Sequence, residues 1–302
     1  MKIAICACTF NRPDGLAQLL RSIRAIETRP DMDIRLIIVD NDDTPSAYGV
    51  FAVETRDYPF ACRYVHETVP GIPAARNRVL DEVGSEGFAV FIDDDEVVSP
   101  RWVLELVQVA ERTGATFVQG PVEMRVEDER DQWWLQTLFF LQRRFSDGEG
   151  RSESWTNNVL VDLKELNRLG CRFDEGLSFY GGEDTLFFQD IIRAGGRGAY
   201  AANAWVYEIQ QTNRLTWRWA VSRQFRCGTT RAMTVLMRRP KAQSVVYCVV
   251  RGSGMVLVGL GWLASSILQG RRGFANGIAM LSRAAGVLSG LVGGRGRLEY
   301  MR

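Results

Sequence analysis

Apolar positions along the chain change period several times. Residues 2–8 (Lys-Ile-Ala-Ile-Cys-Ala-Cys) are a short run of small and branched residues that reads as a buried strand. Over 15–26, Leu16, Leu19, Leu20, Ile23 and Ile26 recur at three- and four-residue spacing, which predicts an amphipathic helix. Strand-like runs follow at 33–39, 62–66 and 88–92, and helical patterns at 73–83 and 100–112. This β-α-β-α order predicts a mostly parallel sheet covered by helices. Such sheets take ligands at the carboxyl ends of their strands. Here three strand ends carry polar or acidic clusters, at 9–14, 40–43 and 93–96. Residues 150–237 are mixed, with one helical run at 186–194 and a stretch rich in Trp and Arg from Arg214 to Arg231.

After Pro240 the pattern shifts. Residues 252–270 hold no charge and are bounded by Arg251 and by Arg271-Arg272. That is close to the roughly 20 apolar residues of a membrane span. A second weakly polar stretch, 273–294, is interrupted by Arg283 and spaces Gly286, Gly290 and Gly294 as closely packed membrane helices do. The division expected is therefore 1–237 and 238–302. A strand at the very start leaves no signal peptide to expect.

Composition narrows the chemistry. The 302 residues are 46% hydrophobic and 24% charged, which excludes a disordered or collagen-like chain. With one histidine, His66, a zinc site built on several histidines is excluded, and any serine–histidine–acid triad has one candidate base. The six cysteines form no C-x-x-C pair and read as reduced, which fits the cytosol. Neither G-x-x-x-x-G-K-[ST] nor G-x-G-x-x-G follows the first strand, so P-loop hydrolases and nicotinamide dehydrogenases are poor readings.

The net charge of +1 hides an asymmetry. From Arg238 onward there are ten Lys or Arg and one acid, Glu299; residues 1–237 hold the remaining 27 bases and 35 acids. A basic tail suits nucleic acid or an anionic membrane. Its bases flank long apolar stretches, which favours the membrane and its cytoplasmic leaflet over nucleic acid. A soluble helical subdomain packed on the rest is the alternative.

Three segments could carry reaction chemistry. Asp93-Asp94-Asp95-Glu96 ends an apolar strand, and four adjacent acids repel one another unless a cation sits among them. Carboxylate oxygens suit Mg²⁺ or Mn²⁺; a solvated acidic turn is the plain alternative. Gly181-Gly182-Glu183-Asp184 lets backbone approach a ligand beside two carboxylates, either of which could act as a general base, or it simply starts a helix. Gly71-Ile-Pro-Ala-Ala-Arg76-Asn77 opens a helix with an early base that could hold phosphate, or is a surface helix start.

Together with Cys8-Thr9-Phe10-Asn11-Arg12-Pro13, Val39-Asp40-Asn41-Asp42 and Thr156-Asn157-Asn158, these segments resemble, in order, the family 2 glycosyltransferases with a GT-A fold. The resemblance covers roughly 1–235, and its details are most similar to bacterial glucosyltransferases of succinoglycan-type exopolysaccharide assembly. It implies an α/β fold with a mostly parallel, Rossmann-like sheet, followed here by a helical membrane-associating segment.

It also implies roles. Thr9, Asn11 and Arg12 would line the nucleotide pocket. Asp40, helped by Asp42, would bind uracil or ribose, and Arg76 would approach the base or diphosphate. Asp93 and Asp95 would form the D-x-D pair holding Mn²⁺ or Mg²⁺, with Asp94 among the nucleotide-sugar contacts. Asp184 would be the general base, with Glu183 beside it. Relatives place a late histidine on the metal; this chain has Val206-Tyr207-Glu208 there, so Glu208 is the candidate replacement. The implied reaction is an inverting transfer of glucose from UDP-glucose to a lipid-linked oligosaccharide or glycan, at the cytoplasmic face of the bacterial inner membrane. A nucleotidyltransferase and an inactive membrane-attached scaffold remain as alternatives.

Other residues have two readings. Trp133, Trp134, Phe139 and Phe140 form either a flap over an acceptor or a packed cluster. Arg218, Arg223, Arg226 and Arg231 either bind diphosphate or form a solvated helix face. Trp217, Trp219 and His66 read as packing residues.

Overall fold

A computed structural model describes residues 1–178 and 181–293. Phe179 and Tyr180, ahead of the glycine–acid motif, and Gly294, Arg295, Arg297, Glu299 and Arg302 of the tail lie outside the described residues. The chain forms two units. The first holds Met1–Glu123, Arg144–Ser178 and Glu183–Glu208; the second holds Met124–Arg143, the short link before Glu183, and the chain from Ile209 on. The 217–238 helix thus groups with the tail rather than with the rest of 1–237.

The first unit is built on strands β1 (Lys2–Thr9), β2 (Asp33–Asp40), β3 (Ala61–His66), β4 (Phe88–Asp93), β5 (Glu96–Val98), β6 (Phe117–Gln119), β8 (Gly150–Arg151), β9 (Asn158–Asp162) and β10 (Gly198–Tyr200). β7 (Val122–Val126) leads out of this unit and β11 (Val206–Gln210) runs along its end. Eight strands form one sheet in the order β3-β2-β1-β4-β9-β6-β10-β8. β1 to β4 are parallel; β9 enters antiparallel between β4 and β6. The chain steps outward from β1 through β2 to β3, then returns to lay β4 on the other side of β1. Strand order reverses there, and Cys8 stands opposite Asp93, so the carboxyl ends of β1 and β4 meet at the switch point where open sheets bind ligands.

Alternation of side chains makes two cores. Ile3 and Ile5 face Leu16, Leu19 and Ile23 of α1 (Pro13–Arg24) and Trp102 and Leu106 of α4 (Trp102–Thr113). α2 (Tyr48–Glu54) adds Phe51 to that side. Ala4 and Cys6 face Val79 of α3 (Ile72–Val83), Leu166 of α6 (Leu163–Leu169) and Phe187 and Phe188 of α7 (Glu183–Arg193).

β9 is a strand that the sequence pattern does not predict. Its residues 159–161 are all buried, covered on both faces, so neither a period of two nor of 3.6 marks it. Asn158 at its start is wholly buried. Its amide donates to the carbonyls of Pro121 (2.9 Å) and Ala204 (2.8 Å), and its oxygen accepts from the Trp102 indole (2.8 Å). The Thr156-Asn157-Asn158 segment therefore supplies a lock between strand ends.

In the second unit, α5 (Gln132–Leu135) lies among aromatic rings, α8 spans Trp217–Arg238 and α9 spans Lys241–Leu291. Trp134, Phe139 and Phe140 are buried, with the Trp217 ring 5.1 Å from Trp134 and the Trp219 ring 6.0 Å from Phe140. They form the packed cluster, not an open flap. α9 leaves helical geometry at Gly270, whose φ of 56° suits glycine, so it is a hairpin of two arms, 241–269 and 271–291. The second arm packs on both α8 and the first arm, and the start of the first arm also meets α8 through Ser244 and Cys248. Gly228 and Gly286 cross so closely that a Cβ on either would collide with the other helix's backbone. Gly286 and Gly290 thus pack against α8, and not against another membrane helix as the sequence suggested.

Candidate active site

The turn after β1 is held against the turn after β4. Thr9 is buried at the strand end. Asn11 takes a positive φ of 52°, unusual for a side-chain-bearing residue, and its backbone N–H donates to Asp42 at 2.9 Å. Arg12 reaches Asp95 at 2.8 Å and Asp94 at 3.1 Å. A Cβ on Gly15, in the first turn of α1, would stand 2.9 Å from the Asp94 carbonyl oxygen. Glycine is needed there for the helix to approach the acidic turn.

The loop after β2 is braced from within. Asp40 is wholly buried and accepts from the backbone N–H groups of Asp42 (2.9 Å) and Ala47 (3.0 Å) and from the Tyr64 hydroxyl. Its carboxylate is committed to its own loop, so the open contact with uracil or ribose expected of it is not how the structure places it. Asp42 accepts from Asn11 and from the Ser46 hydroxyl. His66 hydrogen-bonds the Asp42 carbonyl at 2.8 Å, a packing role. Asn41 donates to the carbonyls of Glu67 (2.8 Å) and Val69 (2.7 Å) and accepts from Gly71 N–H (2.9 Å), fixing the loop that feeds α3.

α3 carries Arg76 inward. It is buried, lies over the Phe173 ring at 5.7 Å and pairs with Glu183 at 2.5 Å. A guanidinium so deeply placed is held by its anions. Asp184 and Asp93 also contribute to its field. Arg76 therefore lies between the acidic turn and the α7 motif, rather than open toward a nucleotide.

α7 begins with Glu183 and Asp184, after Gly181 (φ 71°) and Gly182 (φ 89°). Asp184 accepts from the Thr185 backbone N–H at 2.5 Å. Burial first, and the Glu183 charge second, push its pKa well above the usual carboxylate range, against the pull of Arg76.

The acidic turn is crowded. Burial pushes Asp93 up to about 7, with Asp95, Asp94 and Glu208 adding to it and Arg76 opposing. Burial pushes Asp94 up to about 6 against Arg12. Glu96 is raised well above its ordinary value by burial, then by Asp93 and Glu208. β11 pairs antiparallel with β5 and sets Glu208 opposite Glu96. Glu96 accepts from Asp93 N–H at 3.1 Å through one oxygen, while its buried Oε1 has no partner.

An orphaned carboxylate oxygen and mutually repelling acids fit a hard cation. Among the described residues no three acid, histidine or cysteine side chains are gathered as a chelating set. A divalent ion here would take one or two carboxylates and complete its shell from substrate phosphates and water.

The structure thus brings together Thr9, Asn11, Arg12, Asp42, Asp93, Asp94 and Asp95 at the adjoining ends of β1, β2 and β4, and links Arg76, Glu183 and Asp184 to them through charge. Sequence reasoning undervalued Asn41, Ser46 and Tyr64, whose side chains brace the loop, and Glu96. Asn41 and Glu96 lay inside clusters already singled out. Nothing local marks Tyr64, which acts across a strand pair.

A family model described as glycosyl transferase family 2 matches residues 4–166. The succinoglycan biosynthesis protein ExoM of Rhizobium meliloti is 37% identical over 231 residues, covering 76% of this chain and 74% of that protein. The putative glycosyltransferase EpsH of Bacillus subtilis is 22% identical over 182 residues, covering 55% of this chain and 49% of its own. In fold, the chain is similar to a mannosyltransferase of Pyrobaculum calidifontis solved with GDP-Man and Mn²⁺. Its TM-score is 0.63 at 15% identity, with 96% of this chain and 86% of that one covered. The fold is also similar to that of Staphylococcus aureus TarS 1-349 with UDP-GlcNAc, with a TM-score of 0.54 at 13% identity and 96% and 91% covered.

Proposed function

The chain belongs to glycosyl transferase family 2, and from that membership we propose an inverting, metal-dependent hexosyltransferase of exopolysaccharide synthesis. The donor is a UDP-sugar, UDP-glucose in the first instance. The acceptor is a lipid-linked saccharide, presented at the cytoplasmic face of the inner membrane.

One observation carries the chemistry. Asp184 is a carboxylate raised toward neutrality at the start of α7, tied through Arg76 to the acidic turn at the switch point. A base with such a pKa both stays ionised and accepts a proton effectively near neutral pH. In the reaction Asp184 takes the proton of the acceptor hydroxyl. That oxygen forms a bond to the anomeric carbon as the bond to the UDP oxygen breaks, and the electron pair leaves with the diphosphate. One displacement turns an α-linked donor into a β-linked product.

Thr9, Asn11, Arg12 and Asp42 line the nucleotide side; Asp42 serves there through the Asn11 backbone it holds. Asp40 and Asn41 shape that loop from behind. Asp93 and Asp95 are the residues that would hold Mn²⁺ or Mg²⁺, with Asp94 and Glu208 beside them. An ion held there would supply charge neutralisation for the departing diphosphate. Glu183 holds Arg76 and orients the start of α7.

The ExoM likeness supports the exopolysaccharide assignment, and the long apolar helix supports membrane attachment. The test is stabilisation of the purified protein by nucleotide sugars with and without Mn²⁺, followed by transfer of labelled sugar to membrane lipid extracts. Stabilisation by UDP-glucose and a β-linked lipid product are expected. No stabilisation by any UDP compound overturns the donor assignment.

A further inference from the structure

The α9 hairpin can meet a membrane in two ways, by crossing it or by lying on it. It is long and apolar enough to cross. The second arm, however, is not free to do so. Along its length it is packed on α8: Phe274 against Trp217 (5.7 Å), Ala275 and Ala279 with Ala220, Gly286 against Gly228, and Gly290 against Ala232. α8 carries Arg218, Arg223, Arg226, Arg231 and Arg238, which cannot enter hydrocarbon cheaply. Threading the hairpin through a bilayer means stripping the second arm from α8.

The first arm is different. Its inner side meets the second arm, with a Cβ on Gly252 falling 2.8 Å from Leu288 and one on Gly259 falling 2.9 Å from Leu281. Its outer side carries Val246, Val250, Leu257, Leu260, Ile267 and Leu268, at spacings that hold one helical face. Leu257 is 71% exposed, Ile267 89% and Leu268 91%. Charges border this face, with Arg239 and Lys241 at one end, exposed Arg251 within the arm, and exposed Arg272 at the other end beside Arg271, whose guanidinium lies over the Trp133 ring. A continuous apolar stripe closed by cations at both ends complements an anionic phospholipid leaflet.

We propose that the first arm of α9 (241–269) lies in the plane of a single leaflet of anionic phospholipid, its Val246-to-Leu268 face in the acyl boundary, and that the hairpin does not cross the bilayer. This rests on the membrane attachment proposed above and specifies its form. Nothing in it depends on sugar transfer.

The full chain is added to preformed vesicles of phosphatidylglycerol and phosphatidylcholine, and to phosphatidylcholine alone, and floated on a density gradient. Flotation with the anionic vesicles is expected, reduced at least fivefold by the double substitution Leu257→Glu with Ile267→Glu. Both positions are exposed, and an unchanged melting temperature shows that the fold is kept. Arg272→Cys at the hairpin tip is then probed with a membrane-impermeant maleimide. Exposed Cys227 is counted by using the parent protein as baseline. Labelling in intact vesicles equal to that in detergent supports the in-plane seat. A tip labelled only after detergent overturns it in favour of a span while leaving membrane attachment standing. No flotation with either vesicle, or flotation unaffected by the double substitution, overturns the docking face itself.

Discussion

The Arg76 guanidinium and the Glu183 carboxylate, 107 residues apart in sequence, meet at 2.5 Å with both side chains 7% exposed. The pair joins α3, packed under β1 and β2, to the first turn of α7, and so sets the position of Asp184. Its cation is also the charge that opposes the raised pKa of Asp93. One buried cation therefore serves both acidic motifs.

Removing one partner leaves the other as an uncompensated buried charge. Arg76→Ala is expected to lower stability by about 3–5 kcal/mol, read by urea titration. The double substitution Arg76→Met with Glu183→Leu should recover most of that loss, because apolar replacement of a buried pair is often neutral. It should not recover transfer activity. Recovery of activity along with stability means that the pair serves the fold alone.

As the proposed base, Asp184 must be ionised to accept a proton, and its pKa is raised by burial and by Glu183. The kcat of the enzyme should therefore fall as pH drops through the neutral region, along a one-proton limb. An ordinary carboxylate would place that limb near pH 4. Asp184→Asn is expected to lower kcat by roughly 10²–10⁴-fold, the usual range for a general base. UDP-sugar binding measured by calorimetry should stay close to that of the parent. A flat kcat profile between pH 5 and 8 removes Asp184 from this role.

The Rossmann-like half of the fold was legible because its strands and helices keep clean periods. Leu16, Leu19 and Ile23 mark α1 by spacing alone, and the run before Asp93 marks β4. β9 was not legible, because residues 159–161 are buried on both faces and lack any alternation. The site was legible as clusters of residue type, since acids at strand ends have few structural uses. The duties inside each cluster were not. Asp40 and Asp42 differ by two positions, yet one braces its loop with both oxygens and the other supports the turn carrying Asn11 and Arg12. That difference is made by Tyr64 and Ala47, which the pattern of residues 40–43 does not contain.

Arg12 stands where a divalent ion would bring positive charge, 2.8 Å from Asp95. If Asp95 holds the ion as proposed, the two cations would compete for the same carboxylates in the absence of nucleotide. Arg12→Gln is expected to tighten Mn²⁺ binding by about fivefold, the equivalent of roughly 1 kcal/mol for a partly exposed ion pair. Electron paramagnetic resonance of free Mn²⁺ measures this without any turnover. Weaker or unchanged Mn²⁺ binding shows that Arg12 does not contest the site.

Glycines in the helical unit should divide by what surrounds them. Gly286 stands against the Phe225 carbonyl oxygen, where even a methyl group collides, so Gly286→Ala must push α8 and the second arm of α9 apart. Overpacking of this kind costs about 1–3 kcal/mol. Gly261 has nothing within 4 Å of a Cβ, so Gly261→Ala should stabilise the first arm by up to about 1 kcal/mol through helix propensity. Melting temperatures in buffer without lipid or detergent are expected to move in opposite directions for the two variants. Both glycines lie in apolar helix and are alike to any composition measure. If both substitutions raise the melting temperature, α8 and α9 are not packed as the structure places them, and the reason given for keeping the second arm out of the bilayer fails with that packing.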